Sequence, residues 1–278
     1  MTIAWRQRPI GVVGLGLIGG SLALDLRAQG LRVQALVHRE ATAERARQRQ
    51  LAEQISTDPA VLADCALVVL ALPLDRLLEP SAELLAALPA GAVVTDVGSV
   101  KGPVLARWGE RPRFVASHPM AGTAAAGVEA GFEGLFAGRP WVATPTARTD
   151  PEALAVVRGL AEAVGAHWIE CSAPDHDQAV ALISHLPVLL GAALIEAAGQ
   201  APLARALASS GFADTSRVGG GNPELGTLMA RYNREALLAA LARYRTSLED
   251  LEQLVNGSDW LALHQRLSQA QVLRPEFL

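Results

Sequence analysis

The segment Ile10-Gly11-Val12-Val13-Gly14-Leu15-Gly16-Leu17-Ile18-Gly19 constrains this chain more than any other. It reads as an apolar strand running into G-x-G-x-x-G and then into a helix. Gly14 permits a tight turn, Gly16 lets the backbone approach a pyrophosphate closely, and Gly19 lets the helix pack near the sheet. At the helix N-terminus, around Leu17 and Ile18, free N–H groups and a partial positive charge would face the phosphates. The motif alone is weak, and a glycine-rich turn without a ligand can look the same. Its place after a strand and before a helix makes dinucleotide binding the expectation.

The rest of the first half supports that reading. Strand candidates at 31–37, 66–72, 92–96, 114–117, 141–145 and 167–171 alternate with helical stretches such as 21–29 and 41–50. Strands alternating with helices imply a parallel sheet covered on both faces. Asp150-Pro151-Glu152 opens a helix, with Asp150 as cap and Pro151 in the first turn. After Pro174 no strand is expected. Residues 175–196 read as one long buried helix bent at Pro187. Asn222-Pro223-Glu224 repeats the cap-then-proline signal, and Leu237, Leu241, Tyr244, Leu248, Leu251 and Val255 line one helix face. Ser258 is the expected cap of a last helix. The fold class is therefore α/β, with a Rossmann-type doubly wound sheet over residues 1–172 and an all-helical domain over 173–278. A helical domain so small and apolar needs a partner surface, and a second copy of the chain is the natural one.

Composition narrows the function. The net charge is -4 with signs mixed along the chain, so no basic face invites nucleic acid. Cys65 and Cys171 stand apart, form no metal or redox motif, and are expected to be buried. Asp175-His176-Asp177 has ligand-type residues at high density, but neighbours on a helical turn diverge. No metal is expected there, and Asp175 suits a helix N-terminus. The start has no apolar signal core, and the apolar run 180–195 is shorter than the ~20 residues that span a bilayer. A cytosolic protein without membrane contact is expected.

The end of the second strand selects the dinucleotide. Folds that bind NAD place an acid about 20 residues past the glycines, on the ribose hydroxyl. Here that position falls on His38, in Leu36-Val37-His38-Arg39-Glu40. Arg39 can pair with a 2′-phosphate in two places and Thr42 can add a hydroxyl, which points to NADP. The alternative is a solvated Arg39 with Glu40 in the acid's role. Two polar segments, Thr95–Lys101 and Ser117–Gly122, follow strands directly. Ligands bind beyond the carboxyl ends of such strands, so Ser99 and His118 should face the nicotinamide. Lys101 can neutralise a phosphate or pair with a local acid. Asp96 can serve the cofactor or brace its loop.

At these residues the chain resembles the prephenate/arogenate dehydrogenase (TyrA) family. The resemblance runs nearly end to end, through GLGLIGGSLA, TDVGSVK, SHPMAGT, DHDQAVALISHLP and DTSRVGGGNPELG. It looks closest to cyanobacterial arogenate dehydrogenases, which prefer NADP. It implies oxidation of a cyclohexadienol at C4, loss of carbon dioxide and aromatisation, the step that makes tyrosine. By that resemblance His118 accepts the C4 hydroxyl proton and Ser99 orients the site. Arg217 grips a substrate carboxylate, and His185 and Thr123 add polar contacts. It also implies a dimer through the helical domain. Prephenate-preferring members often read SHLPH; this chain has Val188 in place of the second histidine, which favours arogenate. Prephenate dehydrogenase, another two-domain reductase and a non-catalytic dinucleotide sensor are the rivals. Blander roles also exist: a backbone-bonded strand-end histidine at 118, a satisfied core histidine at 185, and Arg217 as a helix C-terminal cation.

Overall fold

The computed structural model describes residues 4–123 and 125–277, so the first three residues of the opening segment lie outside it. Six parallel strands form the main sheet: β1 (Ile10–Val13), β2 (Val33–Leu36), β3 (Gln54–Ser56), β4 (Leu67–Leu70), β5 (Val93–Asp96) and β6 (Phe114–Val115). Their order is β3-β2-β1-β4-β5-β6, a doubly wound sheet whose order reverses between β1 and β4. The strand Gln54–Ser56 was not expected; three residues are too few to show a period of two.

Apolar residues on both sides of these strands explain why the sheet is covered twice. Leu67 and Val69 point into one core, with Leu22, Leu26 and Leu160. Val68 and Leu70 point into the other, with Leu62, Leu77 and Trp108. All four β4 side chains are fully buried, each contributing roughly 1.5–3 kcal/mol. The covering helices are α1 (Leu17–Ala28), α2 (Glu40–Gln48), α3 (Leu74–Leu78), α4 (Ala82–Ala87) and α5 (Gly102–Trp108).

The chain leaves the main sheet at Ala116. Residues 114–117, expected as one strand, divide between β6 and β7 (Ser117–Pro119), which pairs antiparallel with β8 (Pro140–Ala143). The cause is Asp96. Its Oδ1 accepts the Ser117 N–H at 3.0 Å, taking the place of a ladder partner. Parallel to β8 runs β9 (His167–Glu170). Between them α6 (Pro151–Ala163) starts as expected, with Asp150 accepting the Glu152 N–H at 2.8 Å.

No strand follows among the described residues. A single helical rod, α7 (Ala173–Val180) and α8 (Leu186–Gly199), is joined by a π-helical turn at Ala181–His185. The irregularity thus precedes Pro187, where a bend was expected. Proline lacks an N–H and its ring crowds the carbonyl four residues back; a wider turn relieves both. The rod spans 27 residues, somewhat longer than the helix expected over 175–196, and only 28% of its most apolar stretch is buried. Length and composition would let it cross a membrane, but it carries the buried His176, Asp177 and His185.

The remaining helices are α9 (Pro202–Leu207), α10 (Ser210–Ser216), α11 (Pro223–Tyr232), α12 (Arg234–Asn256) and α13 (Trp260–Leu273). Asn222 caps α11 as expected, accepting the Glu224 N–H at 2.9 Å. The cap of α13 is Asp259, not Ser258: its Oδ1 accepts the Ala262 N–H at 3.0 Å, while Ser258 takes φ 53°. Among the described residues the buried apolar cluster of this half is small, Ala181, Leu186, Leu237 and Ala240, with Ala173, Val180 and Met229 also buried. The apolar stripe of α12 leaves it quickly, and Leu248 and Val255 are each 50% exposed.

Candidate active site

At the carboxyl end of β1 the three glycines do different work. Gly14 has φ +94°, and a Cβ there would stand 2.4 Å from the Ala71 carbonyl oxygen. At Gly19 a Cβ would sit 2.0 Å from the Gly14 carbonyl oxygen, so only glycine lets α1 lie this close to the sheet. At Gly16 a Cβ would meet nothing within 4 Å; the close approach there is left for a ligand. Leu17 and Ile18, in the first turn of α1, are half-buried, and their N–H groups have no partner within the helix. These residues fit a dinucleotide's pyrophosphate.

Beyond β2, His38, Arg39 and Glu40 are all exposed and Thr42 is half-buried. Arg39 precedes the first turn of α2 and makes no ion pair among the described residues. Glu40 is engaged by Arg47, whose Nη1 donates to its Oε1 at 2.6 Å. A cation beside a helix N-terminus suits a 2′-phosphate better than a lone ribose hydroxyl.

A buried polar cluster lies beyond β5. Lys101 is fully buried, and its Nζ donates to Asp96 Oδ2 at 2.5 Å and to the Ser117 carbonyl at 2.6 Å. Asp96 also accepts the Gly98 N–H at 2.8 Å. These bonds settle both open questions: Asp96 braces its loop, and Lys101 is an internal cross-link, not a phosphate ligand. They tie the loop carrying Ser99 to the strand carrying His118. Trp141 Nε1–H donates to Ser117 Oγ at 3.0 Å, locking that strand to β8.

The rod from the helical half closes the cluster. Asp177 Oδ1 accepts the Lys101 N–H at 2.7 Å, and its Oδ2 accepts the Gly102 N–H at 2.8 Å. One carboxylate thereby caps α5 of the other half. Burial pushes the Asp177 carboxyl up, but bonds from His176, Gly102 and Lys101 outweigh it and hold the group below the usual carboxylate range. His176 Nδ1 and the carboxylate oxygen Asp177 Oδ1 stand 2.8 Å apart, although consecutive side chains were expected to diverge. His118 Nδ1 lies 2.9 Å from His176 Nε2. Burial, then His176, Lys101 and His185, hold His118 well below the usual histidine value. His118 is therefore a neutral imidazole at cellular pH, able to take a proton.

His185 belongs to the same cluster. In an unbroken helix, nine residues turn about 900°, leaving His176 and His185 on opposite faces. The extra residue of the π-helical turn brings them toward one side. Asn233 confirms the placement: its Nδ2 donates to the Asp177 carbonyl at 2.7 Å and to His185 Nδ1 at 3.2 Å. The proton of His185 then sits on Nε2, which is buried and has no partner among the described residues. Burial lowers the ring's pKa to about 4; Asp177 and the Ser99 backbone offset part of this, though Ser99 makes no well-formed bond to it. An unpaired buried donor costs about 1–3 kcal/mol unless a ligand accepts from it.

So the structure unites Ser99, His118 and His185, with Ser99 half-buried at the rim. Arg217 ends α10, exposed and without a hydrogen bond or ion pair among the described residues. Thr123 is exposed too, its Oγ1 accepting the Ala125 N–H at 3.2 Å. His176 and Asp177 stand out in the sequence only as ligand-type neighbours within DHDQAVALISHLP, set aside as a metal site, and Asn233 carries no signal there. Cys65 is buried, which pushes its thiol up to about 11, but Cys171 is only half-buried.

Family models match both halves: the prephenate dehydrogenase nucleotide-binding domain over residues 22–170 and the prephenate dehydrogenase dimerization domain over residues 172–269. The chain belongs to the prephenate dehydrogenase family. Its members are oxidoreductases of tyrosine biosynthesis that act on prephenate or arogenate. Synechocystis arogenate dehydrogenase is 44% identical, with a TM-score of 0.80 over 97% of this chain and 100% of that one. The Aquifex aeolicus prephenate dehydrogenase, solved with hydroxyphenyl propionate and NAD+, is 27% identical, with a TM-score of 0.89 over 98% of each chain. The cyclohexadienyl dehydrogenase of Zymomonas mobilis is 31% identical over 95% of this chain and 94% of its own length.

Proposed function

We propose that this member of the family converts arogenate to tyrosine with NADP, and that His118 is the base. The single observation that carries the chemistry is the buried cluster in which a neutral His118 and an unpaired His185 Nε2 stand beside the loop of Ser99. Arogenate has a hydroxyl at C4 and a carboxylate at C1. The O–H proton passes to His118 Nε2 as the C4–H leaves with its electron pair. NADP, when bound, supplies the acceptor for that hydride. The new carbonyl draws the electrons of the C1–carboxylate bond, carbon dioxide departs, the ring becomes aromatic, and the phenolate oxygen at C4 takes the proton back from His118. Ser99 orients the hydroxyl. His185 Nε2–H donates to a substrate oxygen, which removes the cost of leaving it unpaired. Lys101 lies near enough to add positive potential for an anionic substrate.

Three observations favour NADP and arogenate. Arg39 stands exposed at the start of α2, Glu40 is taken by Arg47, and Val188 lies one turn beyond His185 where a second histidine would suit a keto acid. The likeness to the Synechocystis enzyme agrees. The prephenate dehydrogenases of Bacillus subtilis and Lactococcus lactis, 27% and 26% identical, support prephenate as the second reading. In this proposal Arg217 and Thr123 reach the substrate's carboxylates from the rim. The substrate lies between residues 1–172 and 173–278 of a cytosolic homodimer joined through the helical half. The buried apolar cluster there is too small to stand alone. Steady-state kinetics with each substrate and each dinucleotide test the choice. Arogenate with NADP should give the largest kcat/KM; a larger value with prephenate or with NAD refutes that part.

A further inference from the structure

We propose that His176 and Asp177 are positioning residues that fix the tautomer of His118 and so present its Nε2 lone pair to the substrate hydroxyl. The inference rests on the reading of His118 as the proton acceptor. Neither residue touches the reacting atoms.

The direction of the chain of bonds follows from its far end. Asp177 accepts two backbone N–H groups and is an ionised carboxylate, which only accepts. The contact of 2.8 Å from its Oδ1 to His176 Nδ1 therefore has the imidazole as donor. With His176 taken as the neutral imidazole, its proton on Nδ1 leaves a lone pair on Nε2. That lone pair faces His118 Nδ1 at 2.9 Å, so His118 is the donor in this contact. Its own proton is thus on Nδ1, and its Nε2 is the acceptor. The other tautomer would set two lone pairs against each other at the same distance. The rings meet edge to face, with planes at 70° and centroids 5.2 Å apart. The order carboxylate, imidazole, imidazole also helps after the proton arrives. The imidazolium formed at His118 keeps an acceptor on Nδ1 and has the Asp177 charge behind it, while Lys101 opposes the new charge.

Asp177 also caps α5, so its substitution would mix two effects. His176 separates them. The test compares His176→Leu with His176→Gln in the full chain, using the substrate and dinucleotide with the highest kcat/KM. Leucine removes the acceptor for His118; glutamine returns an amide oxygen close to the place of Nε2. We expect kcat to fall by about tenfold or more in His176→Leu, with KM and dinucleotide affinity within about threefold, and His176→Gln to recover most of it. Should leucine not be accommodated, His176→Asn serves, because its amide reaches Asp177 and not His118. The same gap from His176→Gln is expected. NMR of histidine ring nitrogens adds a readout that mere packing would not move. His118 should be the Nδ1–H tautomer in the parent and in His176→Gln, and lose that preference in the Leu or Asn variant. Leucine or asparagine at 176 with kcat within about threefold of the parent overturns the proposal, as does an unchanged His118 tautomer. His118→Asn distinguishes the two levels. If it abolishes turnover while His176→Leu does not, only the relay fails; if it leaves turnover intact, the base assignment falls.

Discussion

Replacing Lys101 with methionine should be among the most damaging single changes in the chain. The side chain is fully buried and so is that of Asp96, which it meets at 2.5 Å. Methionine fills similar space but leaves the Asp96 carboxylate with only the Gly98 and Ser117 N–H groups, and strips the Ser117 carbonyl of its 2.6 Å donor. Burial alone holds the Lys101 pKa below its ordinary value, so the pair's attraction is already offset by desolvation. Its formation therefore adds little, but breaking it strands a charge and costs about 3–5 kcal/mol. At roughly 2–4 °C per kcal/mol, the melting temperature should fall by about 6–20 °C. Denaturant titration of Lys101→Met, Asp96→Asn and the double variant measures this. The double variant should lose at least about 1 kcal/mol less than the sum of the singles, because it removes both charges together. Turnover should fall as well, since the same bonds set the strand of His118. A loss below about 1 kcal/mol in Lys101→Met, or strict additivity, would refute the cross-link argument.

Gly16→Ala should leave stability within about 0.5 kcal/mol yet weaken dinucleotide binding about tenfold or more in a fluorescence titration, because the added Cβ meets only the space a pyrophosphate needs. Gly19→Ala should instead lower stability by about 1–3 kcal/mol in a melt, since its Cβ would overlap the Gly14 carbonyl. Arg39→Ala should raise KM for NADP by about 10–100-fold with little effect on NAD, the value of one charge-assisted contact; an equal effect on both would remove Arg39 from the phosphate. Acid should destabilise the protein through His185. Its folded pKa is about 4, against an ordinary 6.5, so between those values the unfolded chain binds more protons. Stability is then full above pH 6.5 and falls by up to about 1.4 kcal/mol per unit toward pH 4, a slope that His185→Phe should reduce in denaturant titrations.

Much of this was legible before any coordinates. The glycines after β1 identify themselves because only backbone space and a positive φ decide those positions, and both are local. Caps at Asp150 and Asn222 are local as well. What the sequence hid depends on distance along the chain. Asp177 caps a helix 75 residues earlier, and nothing near either position reveals it. His176 and His185 share a site only because a π-helical turn shifts the phase, and periodicity assumes a constant one. Lys101 was ambiguous since burial, not residue type, separates an internal cross-link from a phosphate ligand. Arg217 shows the reverse: the motif named it, and the chain by itself leaves it in solvent.

Turnover and NADP affinity of His118→Asn, measured on the same preparation, reach the heart of the matter. The half-buried, neutral imidazole predicts NADP affinity close to the parent's, with kcat reduced by about 10²-fold or more. Turnover near the parent's value, at unchanged affinity, would mean that the proton leaves by another route.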